Sequence, residues 1–421
     1  MGVPPRSRDD LPRAPLELLH PLALPPAAPA GVEILSELPA AQAGPLFSLY
    51  RAALRWSSSA SEGEDVARLE RHALARLGEE GCWPGAAVIA LHVSGPPGEE
   101  RDEVALACLC VADWALSQKA PNTALAFAAL AAFVWPRHPR YAWTYGRLLR
   151  GSGRMREAEQ WFRRSHRLAV WLGDWEAQVK SLNSLGVLSY LTGSYRRAET
   201  RLTRALAVAT KRGLRRAGGE VLHDLFVLKL NRQEFARAEE FAAEALRHYL
   251  PDHDRLPALA HDLGCLWMDQ GHFERALPLL RAVASRHQDP LERFQTYAAV
   301  ARAAGGAGDG TAFDWAWARA RRAAGGLEHG RIRAAALVDL GRGAASLGRW
   351  IEAIESFEEA RSMAEKHGEA DVVATAEAGM AAAGAERRAD APARELRGTA
   401  GSDVVVREVI GALQPVRSAA A

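Results

Sequence analysis

The sequence predicts an all-α solenoid, in which antiparallel helix pairs stack one after another along the chain. One observation is a unit, clearest at residues 181–210, in which two segments with apolar residues at helical spacing flank a glycine. The other is that this unit recurs at nearly regular intervals of about 40 residues, a period typical of repeat arrays. Its break positions are Gly153, Gly193, Gln233, Gly271, Gly308 and Gly348. One such pair cannot bury its apolar face alone, so the pairs must stack.

The unit at residues 181–210 shows how each element follows from its residues. Leu182, Leu185 and Leu188 lie on one side of a first helix. Gly193 permits a left-handed backbone at the break, and Ser194 is expected to cap the next helix. The second helix carries apolar residues at helical spacing, namely Ala198, Leu202, Ala205, Leu206 and Ala209. The unit therefore predicts a helical hairpin.

Small residues recur at one position of the first helix: Gly146, Gly186, Gly264 and Gly341. In the same four repeats an alanine stands five residues after the break glycine, and a large apolar residue stands four residues further on. Small side chains allow two helices to pack closely, while the large one fills the gap to the next pair. The copy around residue 233 departs from this pattern, with Phe226 and Gln233 where glycines stand elsewhere.

This pattern resembles the tetratricopeptide repeat family over residues 104–385, as about seven repeats. An upstream copy has Ala112, Ala124 and Pro136, and Ala124 precedes Ala158 by the family's standard length of about 34 residues. The later, longer spacing is similar to the roughly 40-residue subclass of kinesin light chain-like adaptors. The resemblance implies a right-handed superhelix whose first helices line a concave groove. It also implies a non-catalytic scaffold or adaptor that binds a peptide or disordered segment of a partner.

The rest of the chain divides into three parts. Residues 1–31 are rich in proline and alanine and are expected to be a disordered leader. Residues 32–103 are a helical segment, either a cap on the array or a separate domain, and residues 82–100 within it could be strand, loop or helix. Residues 386–421 form a linker and a short C-terminal helix or tail, which is either a solenoid cap or a ligand of the groove.

The sequence also argues against several classes of function. Asp9 and Asp10 precede the first apolar stretch, so the N-terminus does not read as a secretion signal, and no segment is apolar enough to span a membrane. The lack of a secretion signal and of a membrane-spanning segment predicts a cytoplasmic protein, and the large excess of arginine over lysine indicates a bacterial one. No catalytic or nucleotide-binding motif occurs, so we expect no enzyme activity and no cofactor. Cys108 and Cys110 stand two apart and face different sides of a helix, and we expect no metal site.

The groove face of the first helices supplies the candidate binding residues. One helix presents Arg140, Trp143, Arg147 and Arg150 at i, i+3, i+7 and i+10, which is one helical face. The following helices add Lys180, Asn183, Tyr190, His223 and His261. Arginine beside tryptophan suits a carboxylate or phosphate, and asparagine can pair with a peptide backbone. The prediction is a groove for a protein or peptide partner, which can be acidic; the alternative is a solvated face or one covered by the chain's own ends.

Charge distribution supports two further alternatives. The net charge is only +2, but residues 147–216 carry 16 basic against 5 acidic residues, and residues 217–274 carry 5 against 11. Arg163, Arg164, Arg201 and Arg204 lie on second helices, so a convex face could bind nucleic acid through phosphate contacts. The adjacent basic and acidic blocks could instead join protomers head to tail in a homo-oligomer.

Overall fold

The structure is a computed structural model that describes residues 31–58, 85–93, 100–249, 253–284, 286, 290–324, 331–367, 369–389 and 410. Eighteen helices and no strand lie in these residues, so the all-α prediction is confirmed. They are α1 Ile34–Glu37, α2 Ala40–Ser58, α3 Ala86–Val93, α4 Arg101–Ser117, α5 Pro121–Val134, α6 Pro139–Gly151, α7 Met155–Leu172, α8 Trp175–Leu191, α9 Tyr195–Arg212, α10 Arg215–Asn231, α11 Phe235–Tyr249, α12 Leu256–Asp269, α13 Phe273–Ala284, α14 Pro290–Gly306, α15 Gly310–Ala323, α16 Arg331–Ser346, α17 Trp350–His367 and α18 Ala370–Ala389.

The chain forms two compact units, residues 1–224 and 225–421, with the boundary inside α10. In the first unit α4 packs against α5, α6 against α7 and α8 against α9. Second helices also pack against the first helix of the next pair, as α5 does against α6 and α7 against α8. The apolar core of this unit runs from α1 to α8, and it includes the edge-to-face pair Tyr50 and Phe127.

The second unit repeats this arrangement. Helices α12 and α13, α14 and α15, and α16 and α17 pack as pairs, and α13 packs against α14. The last helix, α18, packs against both α17 and α16. Stacked helical hairpins in both units are the architecture of an α-solenoid, as the sequence predicts.

The break between paired helices has a left-handed backbone in every copy. The φ angle is positive at Gly153, Gly193, Gly271, Gly308 and Gly348, and also at the non-glycine residues Gln233 (58°) and Lys119 (59°). The sequence prediction for the breaks is therefore confirmed. The prediction for Ser194 is wrong, because its side chain makes no capping hydrogen bond although it occupies the N-cap position of α9.

The recurrent small residue of the first helix is explained by a contact with the second helix of its own pair. A Cβ atom at each of these glycines would overlap the large apolar side chain of that second helix. The added Cβ would lie 2.9 Å from Phe162 at Gly146, 2.6 Å from Leu202 at Gly186, 2.6 Å from Leu280 at Gly264 and 2.7 Å from Phe357 at Gly341. In the exceptional copy Phe226 takes the small position and Ala242 takes the large one, both buried, so the small and large partners are exchanged.

Several expectations concern residues outside the described ranges. The proline-rich leader up to residue 30, residues 59–84, the linker from residue 390 and, apart from residue 410, the C-terminal tail all fall there. Within the stretch that the sequence leaves open, Ala86–Val93 is a helix. Among the described residues, no helix combines the length and the apolar character needed to cross a membrane.

Candidate functional site

A cleft of about 500 Å³ opens in the first unit among the first helices α4, α6 and α8. Four of the predicted groove residues line it, namely Arg140, Trp143, Arg147 and Lys180. The other lining residues are Leu106, Leu109, Cys110, Asp113, His138, Thr144, Asp174, Glu176 and Ala177. Side chains from three consecutive repeats thus meet in one concave surface.

Trp143 is held in a fixed orientation within this cleft. Its indole Nε1 donates a hydrogen bond to the Ser184 hydroxyl on α8 at 2.8 Å. The Arg147 guanidinium lies 5.7 Å from the centre of the Trp143 ring, within the range of a cation–π contact. The half-buried indole therefore offers a rigid apolar surface with a cation beside it.

The three cations of the cleft differ in their partners. Lys180 pairs with Glu176 one turn earlier, at 2.8 Å between Nζ and Oε1. Arg140 and Arg147 are both exposed, and neither forms an ion pair within the described part of the chain. Two guanidinium groups are therefore free to bind an anionic group, each with planar donors that match a carboxylate.

Helix α4 supplies the apolar wall of the cleft. Leu106 is 42% exposed, and Leu109 lies one turn further on beside Ala177 of α8 in the lining. Cys110 is exposed at the cleft. Asp174, although acidic, is committed to the helix, because its Oδ1 accepts the backbone N–H of Ala177 at 2.9 Å.

Three other predicted groove residues do not line this cleft. Arg150 is half-buried at the end of α6. Asn183 donates from Nδ2 to Asp224 Oδ2 at 2.5 Å and so links α8 to α10 within the first unit. Tyr190 packs near Tyr195 across the α8–α9 turn, with ring centres 6.1 Å apart. Helical spacing assigns these residues to first helices but does not identify their neighbours.

The two predicted groove histidines are enclosed, which departs from the sequence expectation. His223 is 1% exposed and His261 is 7% exposed. In the second unit His261 Nε2 lies 3.6 Å from Cys265 Sγ, and its Nδ1 lies 3.4 Å from the Thr296 hydroxyl on α14. Side chains packed in this way between helices are not presented to a partner.

Two of the four arginines predicted for a convex nucleic-acid surface are committed to internal contacts. Arg164 is 6% exposed and donates to the Pro136 carbonyl at 3.1 Å. Arg201 donates to the Leu185 carbonyl at 3.0 Å and to the Ser189 hydroxyl at 2.7 Å, and it also pairs with Glu159. Of the remaining two, Arg163 pairs with Glu159 at 2.9 Å and Arg204 is exposed. The convex surface is therefore less cationic than the sequence suggests.

His138 is a cleft residue that the sequence analysis missed. It is the N-cap of α6, and its Nδ1 accepts the backbone N–H of Arg140 at 3.2 Å. The signal available in the sequence is Pro139, because proline is favoured at the first position of a helix and so marks the preceding residue as the cap. Burial lowers the pKa of His138 below its ordinary value.

No cluster of three His, Cys, Asp or Glu residues suited to a metal ion occurs in the described ranges. His253, near which the sequence gathers several histidines, instead has a structural role. Its ring stacks on Tyr249 at 3.9 Å, and its Nδ1 accepts the backbone N–H of Arg255 at 3.0 Å.

Comparison with known proteins finds a family model that matches part of the chain. The tetratricopeptide repeat model matches residues 139–211, which span α6 to α9 and include two walls of the cleft. No curated protein matches the chain.

Several solved structures are similar to this chain. The Signal Transduction ATPase with Numerous Domains protein PH0952 from Pyrococcus horikoshii, which has a tetratricopeptide repeat sensor, is 12% identical with a TM-score of 0.50, covering 84% of this chain and 58% of that one. A Rap protein complexed with competence and sporulation factor is 11% identical with a TM-score of 0.47, covering 83% and 99%. BtubC (BKLC) from P. vanneervenii is 20% identical with a TM-score of 0.41, covering 55% and 94%. The tetratricopeptide repeat model thus matches two of the helical hairpins described above, and these solved structures are similar to the chain in fold.

Proposed function

We propose that this protein is a non-catalytic interaction scaffold that binds a peptide segment of a partner in the cleft among α4, α6 and α8. The bound segment carries a carboxylate next to an apolar side chain. The carboxylate lies between Arg140 and Arg147, and the apolar side chain packs on Trp143 and Leu106.

The observation that carries this proposal is the pair of guanidinium groups without an ion-pair partner in the described residues, beside a fixed indole. Charge-assisted bonds from arginine to carboxylate are about twice as strong as neutral hydrogen bonds. The apolar wall adds affinity through the burial of nonpolar surface. A cleft of about 500 Å³ lies within the range of ~300–1,000 Å³ for ligand pockets, which suits a few side chains of an extended segment.

The test uses a fluorescein-labelled peptide of repeated Leu-Asp-Glu triplets, called here the acidic peptide, and a matched peptide of Leu-Asn-Gln triplets. Fluorescence anisotropy measures their affinity for the full chain at low and moderate salt. We expect the wild-type protein to bind the acidic peptide at least tenfold more tightly than the neutral one. The double variant Arg140→Glu, Arg147→Glu should lose this preference, because the cleft then repels carboxylates.

A matched control separates the cleft from general charge. Arg156→Glu, Arg197→Glu changes the net charge equally, at two exposed second-helix positions of the same unit. This variant should bind the acidic peptide as the wild type does. Equal losses in the two double variants would contradict the cleft as the site. Tight, salt-sensitive binding of a DNA duplex that is lost in Arg163→Glu, Arg204→Glu but kept in the cleft variant would favour the nucleic-acid alternative instead.

A further inference from the structure

The helix cap at His138 fixes which ring nitrogen carries its proton. Nδ1 accepts the Arg140 backbone N–H at 3.2 Å, and a nitrogen that accepts a hydrogen bond holds no proton itself. The neutral ring must then carry its proton on Nε2. Because His138 lines the cleft, this second nitrogen is the hydrogen-bond donor that the ring can offer to a bound group.

Nε2 has no hydrogen-bond partner among the described residues, and no carboxylate of those residues forms an ion pair with the ring. The charged groups that surround His138 are Asp102 on α4, Asp174 before α8 and Arg140 on α6. Burial is the largest influence and lowers the pKa of His138, so the ring is neutral at pH 7. Protonation of Nδ1 would also remove the cap of α6, which favours the neutral ring further.

We propose that His138 is a specificity-determining residue of the cleft, whose Nε2–H donates a hydrogen bond to an oxygen of the bound peptide beside Arg140. This inference rests on the proposed function. A neutral donor with a fixed tautomer adds direction to the attraction that the guanidinium groups provide. It selects an acceptor oxygen at one place in the cleft, whereas charge alone would accept a carboxylate in many orientations.

The variant His138→Ser separates the two roles of the ring. Serine is as good an N-cap as any residue and can accept the Arg140 N–H, but it has no group that reaches the place of Nε2. We expect the thermal midpoint to stay close to that of the wild type while affinity for the acidic peptide falls about 3- to 10-fold, as for one lost hydrogen bond. His138→Ala should lower both affinity and thermal midpoint, because it removes the cap as well.

Two-bond ¹H–¹⁵N correlation spectra of the wild-type protein at pH 7.5 provide the second readout. We expect the His138 ring to show a protonated Nε2, and its resonance to shift when the acidic peptide is added. A proton on Nδ1 would overturn the inference. The inference would also be overturned if His138→Ser bound the acidic peptide as tightly as the wild type while Arg140→Glu, Arg147→Glu no longer bound it. That result would leave the proposed function intact. If the wild type does not bind the acidic peptide, the proposed function fails and this inference fails with it.

Discussion

Arg147 in the first unit and Arg302 in the second occupy the same position of their repeats, six residues before the left-handed break residues Gly153 and Gly308. Their surroundings differ. Arg147 is exposed and forms no ion pair in the described residues, whereas the Arg302 side chain is only 14% exposed. Arg302 binds Asp269 at 2.6 Å and Asp339 at 3.3 Å, one on each neighbouring first helix.

The difference comes from the neighbouring repeats. Asp269 stands two residues before its break, and Asp339 stands nine residues before its own. At the corresponding positions around Arg147 the chain has Ser117 and Ser184. A repeat position therefore fixes where a side chain lies, and the adjacent repeats decide whether it joins helices or stays free to bind a partner.

Removal of Arg302 should produce the largest effect on stability. Arg302→Ala leaves Asp269 and Asp339 without their shared cation, and we expect the free energy of unfolding of the second unit to fall by about 2–3 kcal/mol. Arg147→Ala should change it by less than about 0.5 kcal/mol, because no ion pair is lost. Urea denaturation of the two variants measures this contrast. Similar losses in both variants would show that the two arginines do not differ in role.

The comparison can be reversed by giving Arg147 an acidic neighbour. Ser184→Asp supplies the carboxylate that corresponds to Asp339, so it should pair with Arg147 and lower affinity for the acidic peptide about tenfold. Ser184→Ala removes only the hydrogen bond from Trp143 and should lower affinity about threefold. Fluorescence anisotropy compares the two. If alanine weakens binding as much as aspartate does, the position of Trp143 and not the charge of Arg147 controls affinity.

The stability of the first unit should depend on pH through two histidines. Burial lowers the pKa of His138 and of His166, and the charge of Arg204 lowers that of His166 further. Because the unfolded chain takes up protons near the ordinary value of about 6.5, this stability is complete above that pH and declines below it. We expect the thermal midpoint to fall between pH 7.5 and pH 5.5. The fall should be smaller in His138→Ser, His166→Gln; an equal fall would exclude these histidines as its source.

The break residues of both units have the same role, because each takes a left-handed backbone between paired helices. Substitutions there should therefore follow one rule in both units. Gln233 has a φ of 58° where most other breaks have glycine. Gln233→Gly should raise the free energy of unfolding by about 1 kcal/mol, because a side chain is strained in this conformation. Gly271→Gln should lower it by a similar amount. A destabilised Gln233→Gly would mean that the glutamine side chain makes compensating contacts.

The helix pairs were predictable because apolar spacing and break residues are local. The small residue of each first helix and its large partner on the second helix lie within one hairpin, so a single repeat encodes their contact. The cleft residues Arg140, Trp143 and Arg147 were predictable for a similar reason, since helical spacing alone puts them on one face.

The remaining features depend on neighbours that spacing on one helix does not specify. The Asn183 amide binds Asp224, 41 residues away, and Arg164 binds a carbonyl 28 residues away. The enclosure of His223 and His261 likewise follows from packing between helices. The spacing of groove residues did not predict His138, because His138 caps the helix and precedes the helical face that carries the other cleft residues.

The proposal that the cleft among α4, α6 and α8 binds the peptide is tested most directly by locating where the acidic peptide attaches. A version with photo-reactive leucine can be cross-linked to the wild-type protein, and the attachment sites can be identified by mass spectrometry. We expect cross-links on α4 and α6, at Leu106, Leu109 and Trp143, and their loss in Arg140→Glu, Arg147→Glu. Cross-links confined to the second helices α7 and α9, or to the second unit, would contradict the proposal.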